Sequence, residues 1–300
     1  MTNHSLVLMF AIGVGLALAG ATYVGAQAPT LPTQVPQTKF DSGQDVVPVY
    51  EGWIKNPDGS FDLVFGYFNR NYKEEPAIPA GPNNFLEPGA PDRGQPTYFL
   101  TRRQARLFRV RVPSDFGQQV LTWTIIANGR TEKAYADLLP VQEINEHIIT
   151  SGGNSVPFGD ENPNKPPTIG VPPVPRATVL IPVTLTATVT DDGLPKPRAP
   201  VARPVTTGKD GSVQRQIDST TSNRARGLTV SWFQYGGPAR VTFEPAGSIP
   251  VTSGTATTRA RFAAPGTYKL VARANDGQLS QRTDVTVTVA AASSSTPAKP

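Results

Sequence analysis

Two groups of residues have types and spacings that can do chemistry. The first is a set of oxygen ligands. Asp191-Asp192 follows one stretch of alternating apolar residues, and Asn275-Asp276 follows another. If both stretches are strands of one sandwich with their turns at the same end, Asp191, Asp192, Asn275 and Asp276 converge. Clustered oxygens of this kind suit Ca²⁺, which takes about six to eight of them. The same residue types also end strands because they make turns. The second group is basic. Arg102, Arg103, Arg106, Arg109 and Arg111 form the densest basic run. In a strand, Phe108, Val110 and Val112 face inward while Arg109 and Arg111 face outward. That is an anion- or partner-binding strip, or a solvated face whose charge guards an edge strand. Arg198, Arg203, Arg224 and Arg226 lie in a second basic stretch and are further candidates for partner binding.

Catalytic chemistry is poorly supplied. The chain has no cysteine and two histidines, His4 and His147. A Ser-His-Asp triad would need His147 with Ser151 or Ser155, and no nucleophile-elbow motif is present. Thiolate nucleophiles, disulfides and histidine-rich zinc sites are excluded by the counts. Glu74-Glu75 are sequence neighbours, which seldom face one another across a sugar as a glycosidase pair must. The chain reads as a non-enzyme. Calcium is the one cofactor the residues raise.

Length and composition bound the scaffold. Three hundred residues allow about two domains with connecting segments. High proline (31) and glycine (27) favour short strands, turns and extended linkers. Charge is uneven. Residues 1–175 hold 13 Lys+Arg against 16 Asp+Glu, and residues 176–300 hold 15 against 7. The basic half favours anionic partners, or simply solubility.

Ser5 to Ala21 is almost continuously apolar, with small residues at Val24-Gly25-Ala26. Residues 1–26 therefore read as an export signal cleaved after Ala26, or as an uncleaved N-terminal anchor. Either places the rest in the periplasm, on the cell surface or outside the cell.

The expected order is as follows. A flexible leader covers 27–44, and a β-sandwich of unassigned family covers 45–150. A proline-rich linker at 151–176 acts as a semi-rigid spacer. A second β-sandwich covers 177–290, and 291–300 is a disordered tail. In the first domain, 46–54 and 61–68 form a hairpin about Asn56-Pro57-Asp58-Gly59. Strands follow at 97–100, 107–112, 120–126 and 131–136, the last two joined at Asn128-Gly129. Leu138–Ile149 is a short helix or an extended exit. The long 69–96 connection reads as functional or disordered. Trp53, Tyr67, Phe68, Tyr72, Phe85, Tyr98 and Phe99 beside it are core residues or a sugar-stacking platform.

The second domain carries an ordered series: Val183–Pro195, Trp232-x-Gln234-x-x-Gly237-Pro238, Val241-Thr242-Phe243, Phe262–Tyr268, Ala274–Gly277 and Asp284–Val289. About a third of the chain thus resembles a PKD-type Ig-like module of exported bacterial proteins. The resemblance implies an Ig-like fold and a spacer or adhesion role. Trp232 is placed like a core tryptophan and Tyr268 like a tyrosine corner. The chain departs from that pattern by lacking a Trp-Asp-Phe-Gly-Asp-Gly run and by inserting basic residues 196–227.

The fold class expected is all-β, two Ig-like β-sandwiches joined by a Pro-rich linker. The function expected is an exported, non-enzymatic binding or scaffolding protein of the cell envelope. The alternative is an accessory carbohydrate-binding protein that uses the aromatic surface of the first domain. The partner expected is an envelope protein or a polysaccharide, with anionic ones favoured. No specific nucleic acid is expected, and membrane contact arises only through an uncleaved N-terminal segment.

Overall fold

A computed structural model describes residues 39–152, 156, 162–196, 206–207, 213–214 and 227–292. The N-terminal segment 1–26, most of the leader and tail, and nearly all of the 196–227 insertion lie outside the described residues. So do Arg198, Arg203, Arg224 and Arg226.

The chain is all-β. In the first sandwich the strands are β1 (Val46–Lys55), β2 (Phe61–Asn69), β3 (Asn84–Glu87), β4 (Arg102–Val112), β5 (Leu121–Ala127) and β6 (Arg130–Ala136), followed by α1 (Glu146–Thr150). One sheet runs β1-β2-β4 and the other β3-β5-β6. Alternation buries Phe108, Val110 and Val112 of β4, and Leu121, Trp123 and Ile125 of β5. Phe65 stacks on Phe108 with centroids 5.2 Å apart, and Trp123 meets both edge-on. These offset and edge contacts are the geometries ring quadrupoles prefer.

The 69–96 connection, expected to be functional or disordered, carries regular structure. It is ordered, and it contains β3. Four buried amides hold it. Asn69 Nδ2 donates to the carbonyls of Glu74 and Phe99. The Asn71 side-chain amide donates to the Gln44 carbonyl. Asn84 Nδ2 donates to the carbonyls of Ile78 and Pro96, and its Oδ1 accepts from Trp123 Nε1 at 2.9 Å. Gln95 Nε2 donates to the carbonyls of Asn84 and Pro91. Buried loop backbone must find such partners, and amide side chains supply them. The expected strand at 97–100 is reduced to one bridge between Ala77 and Tyr98, because the backbone of Thr97 and Tyr98 is turned to another partner described below.

The second sandwich is built from β7 (Thr168–Gly170), β8 (Ala177–Thr178), β9 (Val183–Thr190), a short pair β10 (Thr206–Thr207) and β11 (Val213–Gln214), β12 (Thr229–Gly236), β13 (Val241–Glu244), β14 (Ser248–Pro250), β15 (Thr255–Phe262), β16 (Gly266–Asn275) and β17 (Ser280–Ala290). Its sheets run β14-β12-β16-β17-β8 and β13-β15-β9-β7. The short β8 lies parallel to the end of β17. Trp232, Phe262, Tyr268, Leu270 and Val287 fill the space between the sheets. Tyr268 forms the expected corner, its hydroxyl donating to the Ala264 carbonyl at 2.8 Å.

The segment expected as a spacer is used differently. Thr168–Gly170 pairs with β9 as an edge strand. The two sandwiches also touch directly. Residue 235 sits in a bulge of β12, between the pairs Gln234–Leu270 and Gly236–Lys269. The bulge lets Gln234 serve its own sandwich, where it caps Val241 N and donates to the Ala239 carbonyl. Tyr235 points the other way. With Val271 it belongs to the apolar core of the first sandwich, and Phe233 packs against that core. The Tyr235 carbonyl accepts from Thr97 N at 3.1 Å and Tyr98 N at 3.2 Å, and its hydroxyl donates to the Gly94 carbonyl. Gly236 has no side chain because a Cβ there would lie 2.6 Å from Thr97 Oγ1.

Substituting Tyr235→Ala removes a buried aromatic and should cost about 3 kcal/mol. Differential scanning calorimetry should show one cooperative transition in the parent chain and two separated transitions in the variant.

Candidate functional site

The acidic turns lie together, and most of their oxygens accept from backbone amides. Asp276 is buried; its Oδ1 accepts from Gln278 N and Leu279 N at 2.6 and 2.7 Å, and its Oδ2 from Asn164 Nδ2 at 3.1 Å. Asn275 Oδ1 accepts from Gly277 N. Asp192 accepts from Leu194 N and Lys165 N, and Asp191 Oδ2 from Gly193 N. Asp191 Oδ1 is buried without a partner. Among the described residues no group of three or more Asp, Glu, His or Cys is placed to hold a metal ion. Most of the oxygens expected to converge on calcium thus accept from amides. Burial first, and then the Asp276 and Asp192 charges, push the Asp191 carboxyl above its ordinary value. Burial does the same to Asp276.

The arginine strand is arranged as its alternation requires, and each side chain has a use. Arg111 pairs with Asp62 at 3.1 Å. Arg102 lies over the rings of Phe68 and Tyr72, 4.7 and 4.2 Å from the centroids. Arg103 and Arg106 share the buried carboxylate of Glu51 at 3.2 and 3.5 Å. Arg109 pairs with Glu146 of α1 and, at 3.8 Å, with Asp62. The Glu146 hydrogen bond holds the Arg109 guanidinium above its ordinary value.

Two bulges build this cluster. One in β1, between Tyr50 and Gly52, turns Glu51 toward β4. The other, in β4 opposite Gly66, places Arg106 at φ 50°. Arg106 N then donates to Glu51 Oε1 at 2.8 Å. The two bulges close over Gly66, where a Cβ would lie 2.1 Å from Glu51 Oε1 and 2.4 Å from the Gln104 carbonyl oxygen. A left-handed arginine is a strained residue held by its surroundings, as side chains at binding sites often are.

Arg103, Arg106 and Arg109 open onto a cavity of ≈490 Å³ between the sandwiches, whose far wall holds Arg273, Ser280, Gln281 and Arg282. Ile149 and Gly152 form its side. The exit segment delivers them. Ile144 N donates to the Trp53 carbonyl, and Asn145 caps α1 through Ile148 N. Arg106 then donates to the Gly152 carbonyl, and Ser280 Oγ to Thr150 O at 3.0 Å. His147 is half-buried, with Nε2 2.9 Å from the Val156 carbonyl oxygen.

Sequence reasoning missed Arg273 and Arg282. Both lie on the outward face of the β16–β17 hairpin, and they are directly opposite in its register. Like charges in that position destabilise a sheet on the ~0.2–1 kcal/mol scale of cross-strand pairs. Neither makes an ion pair with a carboxylate among the described residues. Burial, then the neighbouring Arg282 and Arg106 charges, pull the Arg273 guanidinium below its ordinary value; burial does so for Arg282. The signal was present in Asn275-Asp276-Gly277, which sets the hairpin and hence the pairing of Arg273 with Arg282.

The aromatic platform is not assembled. Trp53, Tyr67, Tyr98 and Phe99 are buried. Trp53 Nε1 donates to the Leu139 carbonyl and Tyr98 OH to Glu75. Arg102 lies over the rings of Phe68 and Tyr72, and Tyr72 stays exposed.

No family model and no curated protein matches the chain. Among solved structures it is similar to the D00–D0 domain of intimin, with 14% identity and a TM-score of 0.24, covering 82% of this chain and 100% of that one. It is similar to fibronectin(III)-like modules of Clostridium thermocellum CbhA, with 11% identity and a TM-score of 0.24, covering 82% and 95%. It is also similar to a conjugative transposon lipoprotein from Bacteroides eggerthii, with 12% identity and a TM-score of 0.25, covering 41% and 96%. Likeness at this level says nothing of function, and the sandwich fold rests on the strands themselves. Among the described residues no helix is long and apolar enough to cross a membrane.

Gly66→Ala should destabilise the fold by about 2 kcal/mol or more, because the new methyl meets backbone as well as Glu51; urea unfolding measures it. The acidic turns make an opposite prediction. A raised carboxyl pKa in the fold contributes stability below the unfolded value, about 3.9 for Asp, and that contribution is lost as pH rises through the folded value. Asp191→Asn keeps the Gly193 bond and removes the charge. Its thermal midpoint should exceed the parent's at pH 7, and the difference should close as pH falls toward 4.

Proposed function

We propose that this is an exported, non-enzymatic binding and scaffolding protein of the cell envelope. One observation carries the reading: Tyr235 and Val271 of the second sandwich complete the core of the first. The two sandwiches then act as one rigid body with a cationic cavity at their junction, a shape for holding a partner in place. The lining favours holding over transforming. Guanidinium groups donate hydrogen bonds and carry fixed charge, and they do not act as bases or nucleophiles at neutral pH.

The apolar run Ser5–Ala21 supports export, and the second-domain motif series supports a PKD-type module. The partner is an envelope protein or polysaccharide of acidic character, met through the arginines of β4 and of the junction. The sugar-stacking alternative loses its support, because most of its aromatic faces are covered.

In cells that carry the protein naturally, fractionation should find it in the envelope, and crosslinking should recover an acidic partner. Recovery should fall steeply between about 50 and 300 mM salt, as screening of exposed charge requires. Cytoplasmic residence, or recovery indifferent to salt, would overturn the reading.

A further inference from the structure

We infer that the cavity between the sandwiches binds a tetrahedral oxyanion, the phosphate or sulfate ester of a small molecule, gripped by Arg273 and Arg282. This deepens the envelope reading by naming the ligand group. It also survives the failure of that reading, since it needs neither export nor a polymeric partner.

Charge is the first argument. Five arginines face the cavity. Glu51 is shared by Arg103 and Arg106, and Arg109 takes Glu146 and Asp62. Asp62 is held more closely by Arg111, at 3.1 Å, so among the described residues positive charge is in excess around the cavity. The excess falls on Arg273 and Arg282, which no described carboxylate pairs. Asp284 is the next acid along β17, and its carboxylate is held by Lys269 at 2.9 Å.

Position is the second argument. A fold gains nothing by opposing two arginines across one hairpin at a half-buried junction, unless something anionic joins them. An anion between them turns repulsion into two charge-assisted contacts. Arg273 is also oriented, with its guanidinium 5.1 Å from the Phe233 ring centroid. That ring itself packs at the junction, so the fork is steadied before a ligand arrives.

Hydrogen-bond character and size give the third. Guanidiniums present planar forks of donors that match two oxygens of a phosphate or sulfate. A volume of ≈490 Å³ exceeds the need of a bare ion and falls within the ~300–1,000 Å³ range of small-molecule pockets. Ile149 and Ala105 supply apolar wall for the body that carries the anion.

The test uses the purified full chain with inorganic phosphate, inorganic sulfate, glucose 6-phosphate and glucose 6-sulfate. Each is compared with sodium chloride at equal ionic strength, by thermal shift and titration calorimetry. At least one ester should raise the midpoint beyond chloride. The phosphate and sulfate arms then say which ester the site prefers. Arg273→Gln and Arg282→Gln should each weaken that ester by about tenfold or more, the scale of a lost charge-assisted pair. Without ligand both variants should melt at or above the parent's midpoint, because each removes a like-charge clash. Three results would overturn the inference: no probe exceeding chloride, variants that bind as the parent does, or bare anions binding as tightly as their esters.

Discussion

One sandwich has no free outer face where the other needs a core, and everything else at the junction follows from that sharing. Tyr235 and Val271 stand on the face of the β12–β16–β17 sheet that would otherwise meet water, yet they are buried among the residues of the first sandwich. Burial of an aromatic is worth a few kcal/mol, a sizeable fraction of the ~5–15 kcal/mol margin of a domain. The carbonyl of Tyr235 takes two backbone amides of the 97–98 segment at the same place. A bulge in β12 makes both possible, since without the extra residue Gln234 and Tyr235 could not serve opposite sides. The 69–96 connection is the other half of the contact. It carries Gly94, Thr97 and Tyr98 to the junction, and its buried amides fix it there.

The cavity is what this contact leaves over. Tyr235 and Phe233 close the junction at one end, while the β4 bulge, the end of α1 and the β16–β17 hairpin stand apart at the other. Polar and charged side chains collect in the space because it is too wet for apolar ones and too enclosed for free solvation. Arg103, Arg106 and Arg109 came supplied with Glu51, Glu146 and Asp62. Arg273 and Arg282 did not, and the asymmetry separates side chains that build the protein from side chains that have capacity to spare.

Much of the fold was legible because its determinants are local. The Asn56–Gly59 and Asn128-Gly129 turns, the alternation of β4, and Tyr268 after Pro265-Gly266 each need only neighbouring residues to be read. β3 was missed because Asn84–Glu87 is short and lies among prolines; it exists by virtue of Trp123 and the buried Asn84 amide. Residues 168–170 read as linker because Thr-Ile-Gly carries no strand signal apart from its partner β9. The site was half legible. The arginines of β4 were found by type, but their partners Glu51 and Glu146 lie 55 and 37 residues from Arg106 and Arg109. The acidic turns were legible as strand ends, and the amides that their oxygens meet were not. Their spacing does not tell whether an oxygen faces a cation or the amide two residues on.

The shared core also sets the order in which the molecule can be finished. Tyr235 bonds to Gly94 across 141 positions of chain. The first sandwich is therefore synthesised long before the residues that complete it. Until β12 and β16 appear, its core stays open and the amides of Thr97 and Tyr98 lack the Tyr235 acceptor. Long-range closures of this kind are slow. The early half therefore stays unlocked until the late half arrives.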